Sequence, residues 1–125
     1  MRPEVEKAIA EFLKQYPSSK RDSSSVTSWL LSDNTPLADP LKTDFLYELA
    51  SRIGHWRRSP ITNKPLVSLI SRLAKTHAAK SVIDPMCGTG ALLDTISRDI
   101  NAKSAVGVEK DPELASIARR LLKDN

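Results

Sequence analysis

The chain has 125 residues, of which 40% are apolar, and this is enough for one domain with a modest core. Nineteen Lys and Arg against fifteen Asp and Glu leave a net charge of +4, which alone points to no class of partner. The single cysteine excludes an internal disulfide, and no run of about 18 apolar residues marks a membrane span. We therefore expect a soluble protein of the cytoplasm with no membrane contact.

Helical periodicity dominates the first part of the chain. Apolar residues recur at helical spacing over residues 3–16, which predicts an amphipathic helix. Residues 17–25 contain Pro, Ser and charged residues but no apolar residue, so we expect a loop there, followed by a short helical stretch that contains residues 29–31. Asp39 is placed to cap a further helix that ends near Ile53.

A fourth predicted helix lies within a basic run. Asn63 can cap this helix, and no acidic residue stands between Glu48 and Asp84, whereas seven Lys and Arg do. Such a run is typical of a solvated face, and it is also where a polyanion could dock. Four apolar residues recur at helical spacing and are expected to face the core, namely Leu66, Leu69, Ile70 and Leu73.

Strands and helices alternate in the last third of the chain. The pattern predicts a buried strand at residues 81–84, a helix at 91–99, a second strand at 105–109 and a helix at 112–123. This order favours parallel βαβ winding with a right-handed crossover. The sequence therefore predicts an α/β protein, in which a helical N-terminal region precedes the alternating part.

The stretch SVIDPMCGTGALL, residues 81–93, joins the first strand to its helix through a Gly-x-Gly turn. Gly88 and Gly90 allow the backbone to approach a ligand without an intervening Cβ, and the turn presents N–H groups at the helix start. Glu109 ends the second strand, where a carboxylate can accept hydrogen bonds from both ribose hydroxyls. Turn and carboxylate together predict a site for an adenosine cofactor.

The residues around the turn narrow the choice of cofactor. A dinucleotide fingerprint requires a third glycine where Leu93 stands, and no Gly-Lys-Ser/Thr triplet of a phosphate loop occurs near Gly90. A cofactor without phosphates and with an amino-acid tail fits better, and S-adenosyl-L-methionine is such a cofactor. Asp84 is well placed to meet its ammonium group. Asp111 is expected to cap its helix while lying close enough to Glu109 to touch the ribose.

Two segments resemble motifs of the amino-methylating, adenine-specific DNA methyltransferases. DPMCGTGALL, residues 84–93, resembles the first cofactor motif of these enzymes, and VGVEKDP, residues 106–112, resembles the second. The resemblance implies that Glu109 holds the ribose and that the loop holds the methionine part of the cofactor. The loop residues concerned are Asp84, Pro85, Cys87, Gly88, Thr89 and Gly90.

A third segment is similar to the Gly-x-x-Tyr/Phe-Thr-Pro sequence that precedes the first motif in this family. It reads GHWRRSP, residues 54–60, so that Arg58 replaces the aromatic residue, Ser59 replaces Thr and Pro60 keeps its place. Residues 63–67, NKPLV, are an alternative counterpart. The order of the segments resembles the modification subunits of type I restriction systems, which implies a DNA substrate and a possible specificity or other partner subunit.

The resemblance also defines the expected domain organisation. We expect a helical N-terminal region over residues 1–53, and over residues 54–125 the first βαβα part of a Rossmann-like, S-adenosylmethionine-dependent methyltransferase fold. The Asp/Asn/Ser-Pro-Pro-aromatic loop that presents the flipped base in this family has no counterpart, because no Pro-Pro occurs. We therefore expect an incomplete N-terminal part of a longer enzyme, with no catalytic residue of its own, no metal site and no methyltransferase activity alone.

Two other functions are compatible with the residues. Guanine-amine RNA methyltransferases also carry Asp-Pro-Met-Cys-Gly-Ser/Thr-Gly, although Ala91 stands here where they usually have Thr. A non-catalytic adaptor or nucleic-acid-binding module would instead use the turn only as structure, and the basic run is the best argument for it.

Overall fold

The computed structural model of the chain describes residues 2–32, 35–53 and 61–122. Its helices and strands are α1 (Pro3–Gln15), α2 (Ser23–Leu31), α3 (Lys42–Ile53), α4 (Lys64–Thr76), β1 (Ser81–Asp84), α5 (Ala91–Asp99), β2 (Ser104–Gly107) and α6 (Pro112–Leu121). Single 3-10 turns precede α2 and α3, at Ser18–Lys20 and Asp39–Leu41. Among the described residues, no helix has both the length and the apolar character needed to cross a bilayer.

The two strands pair in parallel, as the alternating pattern predicted. Ser81 lies opposite Ser104, and Asp84 lies opposite Gly107. The pairing continues past the strand ends, because the Val108 N–H donates to the Asp84 carbonyl at 2.9 Å. The result is a small parallel sheet among helices, which is compatible with part of an α/β methyltransferase fold. A larger Rossmann-like sheet stays a prediction.

An aromatic cluster forms the centre of the helical part. The rings of Trp29 and Phe45 stack with centroids 4.7 Å apart, and Phe12 meets both rings edge-on at about 6 Å. The same hydrophobic cluster includes Leu114 and Ile117 of α6, so the N-terminal helices and the alternating part share one core. The predicted division at residue 54 falls outside the described residues and stays a prediction.

Helix α2 begins earlier than the sequence predicted. The Asp22 carboxylate accepts a hydrogen bond from the Ser25 N–H at 2.9 Å, while the Ser25 hydroxyl accepts one from the Asp22 N–H at 3.0 Å. This reciprocal pair is a capping box with Ser in the position usually held by Glu or Gln. The prediction of a loop through residue 25 was therefore wrong from Ser23 onward.

Asp39 does not cap α3 as predicted. It lies in the 3-10 turn before the helix, and its carboxylate contacts Lys42 Nζ at 2.9 Å and Arg120 Nε at 3.2 Å. The hydrogen bond from Lys42 lowers the pKa of Asp39. Lys42 is buried and also donates to the Leu30 carbonyl at 2.9 Å, so one ammonium group joins α2 to the start of α3.

The predicted core face of α4 was wrong for three of its four residues, whereas Ile70 packs against the core. Leu66, Leu69 and Leu73 are 45%, 51% and 51% exposed, whereas Val67 and Ser71 are buried. Apolar residues cover more than one face of this helix, and the face that packs on α5 is the one with the smaller residues. The Ser71 hydroxyl there donates to the Asp99 carboxylate at 2.5 Å, an interaction that hydrophobic periodicity cannot reveal.

Only one face of the sheet is covered by the described helices. Val82 and Ala105 face α5 and are half-buried, whereas Ile83, Val106 and Val108 are 71%, 50% and 56% exposed. The prediction that residues 81–84 form a buried strand therefore holds for one face only, because the sequence cannot tell one covered face from two.

The sequence places both Leu49 and Leu69 on the core face of a helix, but we predict that truncating them to Ala will lower the free energy of unfolding by different amounts. Leu49→Ala removes a side chain that is fully buried and should lower the free energy of unfolding by about 2–5 kcal/mol. Leu69→Ala should change it by less than about 1 kcal/mol, because half of that side chain is already in water. Urea unfolding of both variants is the measurement. Equal losses would contradict the observed orientation of α4.

Candidate cofactor-binding site

The Gly-x-Gly turn lies between β1 and α5, where the sequence predicted it. Gly88 has φ +55° and Gly90 has φ +79°, and residues with a Cβ rarely adopt such angles. Gly90 is the N-cap of α5, and its N–H donates to the Cys87 carbonyl at 2.8 Å. The turn is therefore a tight, hydrogen-bonded structure that ends at the start of a helix.

Gly90 has a second reason to be glycine. A Cβ at this position would lie 3.0 Å from the Cβ and 3.1 Å from the Cα of Ala118 on α6. Real Cβ contacts are rarely so short, so α6 can lie this close to the turn only because the side chain is absent. The turn and α6 are thus in direct contact behind the candidate site.

Strand β2 ends at Gly107, so the prediction of a strand through residue 109 was wrong by two residues, and Glu109 lies just beyond the strand. Glu109 joins the turn to the segment that follows β2. Its Oε2 accepts a hydrogen bond from the Gly88 N–H at 2.9 Å, and its Oε1 accepts one from the Asp111 N–H at 2.8 Å. The structure thus brings together three residues that the sequence placed in one site. It also shows that the Gly88 N–H, which we expected to face a ligand, already has a carboxylate partner.

Asp84 lies at the carboxyl end of β1, on the same edge of the sheet as Glu109. Its Oδ1 accepts a hydrogen bond from the Met86 N–H at 3.0 Å, which stabilises the start of the turn. Its Oδ2 has no hydrogen-bond donor within the described ranges. One oxygen of this half-buried carboxylate therefore stays available for a ligand.

Asp111 caps α6, as predicted. Its Oδ1 accepts hydrogen bonds from the Glu113 N–H at 2.9 Å and the Leu114 N–H at 3.4 Å. This carboxylate therefore has a structural role at the N-terminus of the helix, where its negative charge is also favourable.

A cavity of about 190 Å³ opens beside the turn. Loop residues Asp84, Met86, Gly88 and Thr89 line it, together with Ile61 and Thr62 from the segment before α4. Sequence reasoning missed Ile61 and Thr62. Their position next to Asn63, in the alternative counterpart of the upstream segment, was the available signal. Ser59 and Pro60, the residues chosen instead, lie outside the described residues.

A second cavity, of about 340 Å³, lies on the other side of Cys87. Gly107, Ala118 and Leu122 form its apolar walls, and Glu109 lies at its border. Because Asp84 and the two turn glycines do not line it, the smaller cavity is the better candidate for the amino-acid end of a cofactor.

Cys87, Thr89 and Pro85 complete the predicted loop. Cys87 is buried, and this burial, together with the charges of Asp84 and Glu109, raises the pKa of its thiol. A thiol held protonated in this way is a packing group rather than a nucleophile. Thr89 is also buried, and its hydroxyl accepts a long hydrogen bond of 3.4 Å from the Ala91 N–H. Pro85 is exposed at the surface of the turn.

No group of three or more His, Cys, Asp or Glu is arranged to hold a metal ion in the part of the chain that the structure describes. The carboxylates of the candidate site are instead engaged with backbone N–H groups.

The comparison with known families now identifies the chain. The family model of the N-6 DNA methylases matches residues 45–121. The chain belongs to the N-6 DNA methylase family. The matched region extends from α3 to the end of α6 and therefore includes the turn, Glu109 and the cavity. No curated protein and no solved structure matches the chain.

Membership of the N-6 DNA methylase family confirms the predicted resemblance to adenine-specific DNA methyltransferases. It implies methyl transfer to DNA as the activity of the family. The closer likeness to type I modification subunits and the roles of the individual site residues stay predictions.

We predict that the two turn glycines differ in their tolerance of alanine. Gly88→Ala should cost about 1–2 kcal/mol of unfolding free energy from backbone strain. Gly90→Ala should cost more, because its Cβ would also press on Ala118. Thermal or urea unfolding measures the difference. A smaller loss for Gly90→Ala than for Gly88→Ala would contradict the close approach of α6.

We also predict that Glu109 protects the Gly88 amide from exchange with solvent. In Glu109→Ala the Gly88 N–H loses its acceptor, so its hydrogen exchange, measured by NMR in the absence of any ligand, should accelerate. Glu113→Ala is the control, because that α6 carboxylate contacts Ser24 rather than the turn. Unchanged protection of Gly88 in Glu109→Ala would show that the turn is held in another way.

Proposed function

We propose that this chain binds S-adenosyl-L-methionine at the turn between β1 and α5, and that it does so as the cofactor-binding part of a DNA adenine-N6 methyltransferase. The observation that carries the proposal is the convergence of Asp84, Gly88 and Glu109 at one edge of the parallel sheet. Ligands bind at this edge in α/β folds, beyond the carboxyl ends of the strands.

Asp84 would hold the amino-acid end of the cofactor. Asp84 lines the 190 Å³ cavity, and its carboxylate can accept a charge-assisted hydrogen bond from an ammonium group. The buried loop residues Cys87 and Thr89 would shape the cavity wall beside it, and Pro85 would fix the backbone of the turn. Ser59 and Pro60 are proposed to contribute from the upstream segment.

Glu109 would hold the ribose without releasing the turn. A carboxylate has about four lone-pair sites, and the N–H groups of Gly88 and Asp111 occupy two of them. The remaining sites can accept hydrogen bonds from two ribose hydroxyls. Asp111, held beside Glu109 by the same carboxylate, is proposed to border the ribose from the start of α6.

When bound, the cofactor supplies an electrophilic methyl group for transfer to an amine. The residues of this chain would bind and orient the cofactor, and none of them is proposed to act on the target base. The sequence has no Pro-Pro with which to present a flipped base, so we expect cofactor binding by the chain without methyl transfer.

The substrate class that fits this proposal is DNA, in keeping with the family. A restriction–modification role in the cytoplasm, with a specificity subunit that reads the sequence, is proposed on the resemblance of the motif order alone. RNA modification and a purely structural use of the turn are less well supported, because the family match covers both the turn and Glu109.

Calorimetric titration of S-adenosylmethionine into the 125-residue chain tests the proposal. We expect binding, and we expect Asp84→Ala and Glu109→Ala each to weaken it by about tenfold to 100-fold, as for the loss of a hydrogen bond to a charged group. Glu113→Ala is the matched control and should leave the affinity unchanged. Equal affinity in both site variants and the control, or no binding by the chain at all, would overturn the assignment.

A further inference from the structure

A line of basic and polar residues lies along α4. We name it the basic stripe, and it consists of Lys64, Ser68, Arg72 and Lys75, which are all exposed. Their spacing of three and four residues places them on one face of the helix. At a rise of about 1.5 Å per residue the stripe is about 17 Å long.

The packing of α4 fixes the direction of this stripe. Val67 and Ser71 are buried, and the Ser71 hydroxyl holds the helix to Asp99 of α5 at 2.5 Å. The stripe flanks these two buried positions on the helix, and its four side chains are all exposed to solvent. It is therefore a surface and not part of the core.

The cations of the stripe lack the neighbouring carboxylates that usually balance the charge of a solvent-exposed helix. No Asp or Glu occurs on α4, and the first turn carries Lys64, although the positive end of the helix dipole disfavours a cation there. Lys64 contacts Glu48 only at 3.9 Å and is 61% exposed. Arg72 and Lys75 have no carboxylate partner among the residues that the structure describes.

The stripe begins beside the candidate site. Helix α4 starts directly after Asn63, and the two preceding residues, Ile61 and Thr62, line the cavity next to Asp84 and the turn. A polyanion bound along the stripe would thus pass close to the cavity. The polyanion would contact the protein on one side of the proposed cofactor site.

We propose that the basic stripe of α4 binds the phosphate backbone of the DNA that is presented to the cofactor site. The proposal rests on the proposed function, which makes DNA the substrate, and it adds the surface that receives the DNA. Flexible Lys and Arg side chains contact phosphates of the DNA backbone, and these contacts do not depend on the base sequence. The stripe would therefore contribute affinity and orientation, while sequence recognition lies elsewhere.

Removal of two charges from the stripe tests this. The double variant Arg72→Gln/Lys75→Gln should bind a fluorescent 20-base-pair duplex more weakly than the unaltered 125-residue chain at about 50 mM salt. Its plot of log K against log salt should be flatter by about 0.9 for each phosphate contact that is lost. The matched control is Lys7→Gln/Lys14→Gln, which removes the same charge from exposed positions on α1. The control should keep nearly the full salt dependence.

Four results would overturn the proposal. The first is an equal loss of DNA affinity in both double variants, which would indicate a net-charge effect, and the second is unchanged DNA affinity in both. The third is the absence of DNA binding by the unaltered chain. The fourth is that the stripe variant loses affinity for duplex RNA but not for DNA. Titration of S-adenosylmethionine into the stripe variant keeps the two proposals separate. Unchanged cofactor affinity with weakened DNA binding supports the stripe, whereas DNA binding through the stripe without any cofactor binding would refute the proposed function alone.

Discussion

The candidate site depends on the carboxylate of Glu109. This one group accepts hydrogen bonds from Gly88, in the turn after β1, and from Asp111, at the start of α6. The backbone already links the two loops, because the Cys87 N–H donates to the Val108 carbonyl at 3.0 Å, and the shared carboxylate adds a side-chain link that makes the conformation of one loop depend on the other. A site organised in this way before the ligand binds does not spend binding free energy on ordering the turn.

Helix α5, which begins at the turn, is hydrogen-bonded to α3 of the N-terminal part. The Thr43 hydroxyl of α3 donates to the buried Asp94 carboxylate at 2.8 Å, and the Tyr47 hydroxyl lies 3.0 Å from Thr95 Oγ1. Burial raises the pKa of Tyr47 to about 12, and its hydroxyl is the donor in this pair because the Thr95 hydroxyl itself donates to the Ala91 carbonyl. Because a buried carboxylate without its partners is costly, the helical part and the Gly-x-Gly turn are joined energetically and not only by the chain.

The sequence predicted those features that local chemistry determines. Glycines in the turn, Glu109 near the end of the second strand and the cap at Asp111 each follow from a few neighbouring residues. Features that depend on what lies across the core were missed. The sequence could not show that Leu69 faces water while Ser71 is buried, because packing against α5 and its Asp99 determines which face of α4 is buried. It could not show either that the Gly88 N–H is already occupied, since the acceptor is 21 residues away.

The packing of α4 also explains why the basic run of the sequence had two interpretations. Spread over a loop, the same cations would be solvated and would form no common surface. On α4 three of them share one face, and the contact between Ser71 and Asp99 sets that face relative to α5, the helix that begins at the turn. The net charge of +4 is uninformative because it averages over positions. The arrangement of the charges carries the information, since a polyanion responds to the cations that it can contact together.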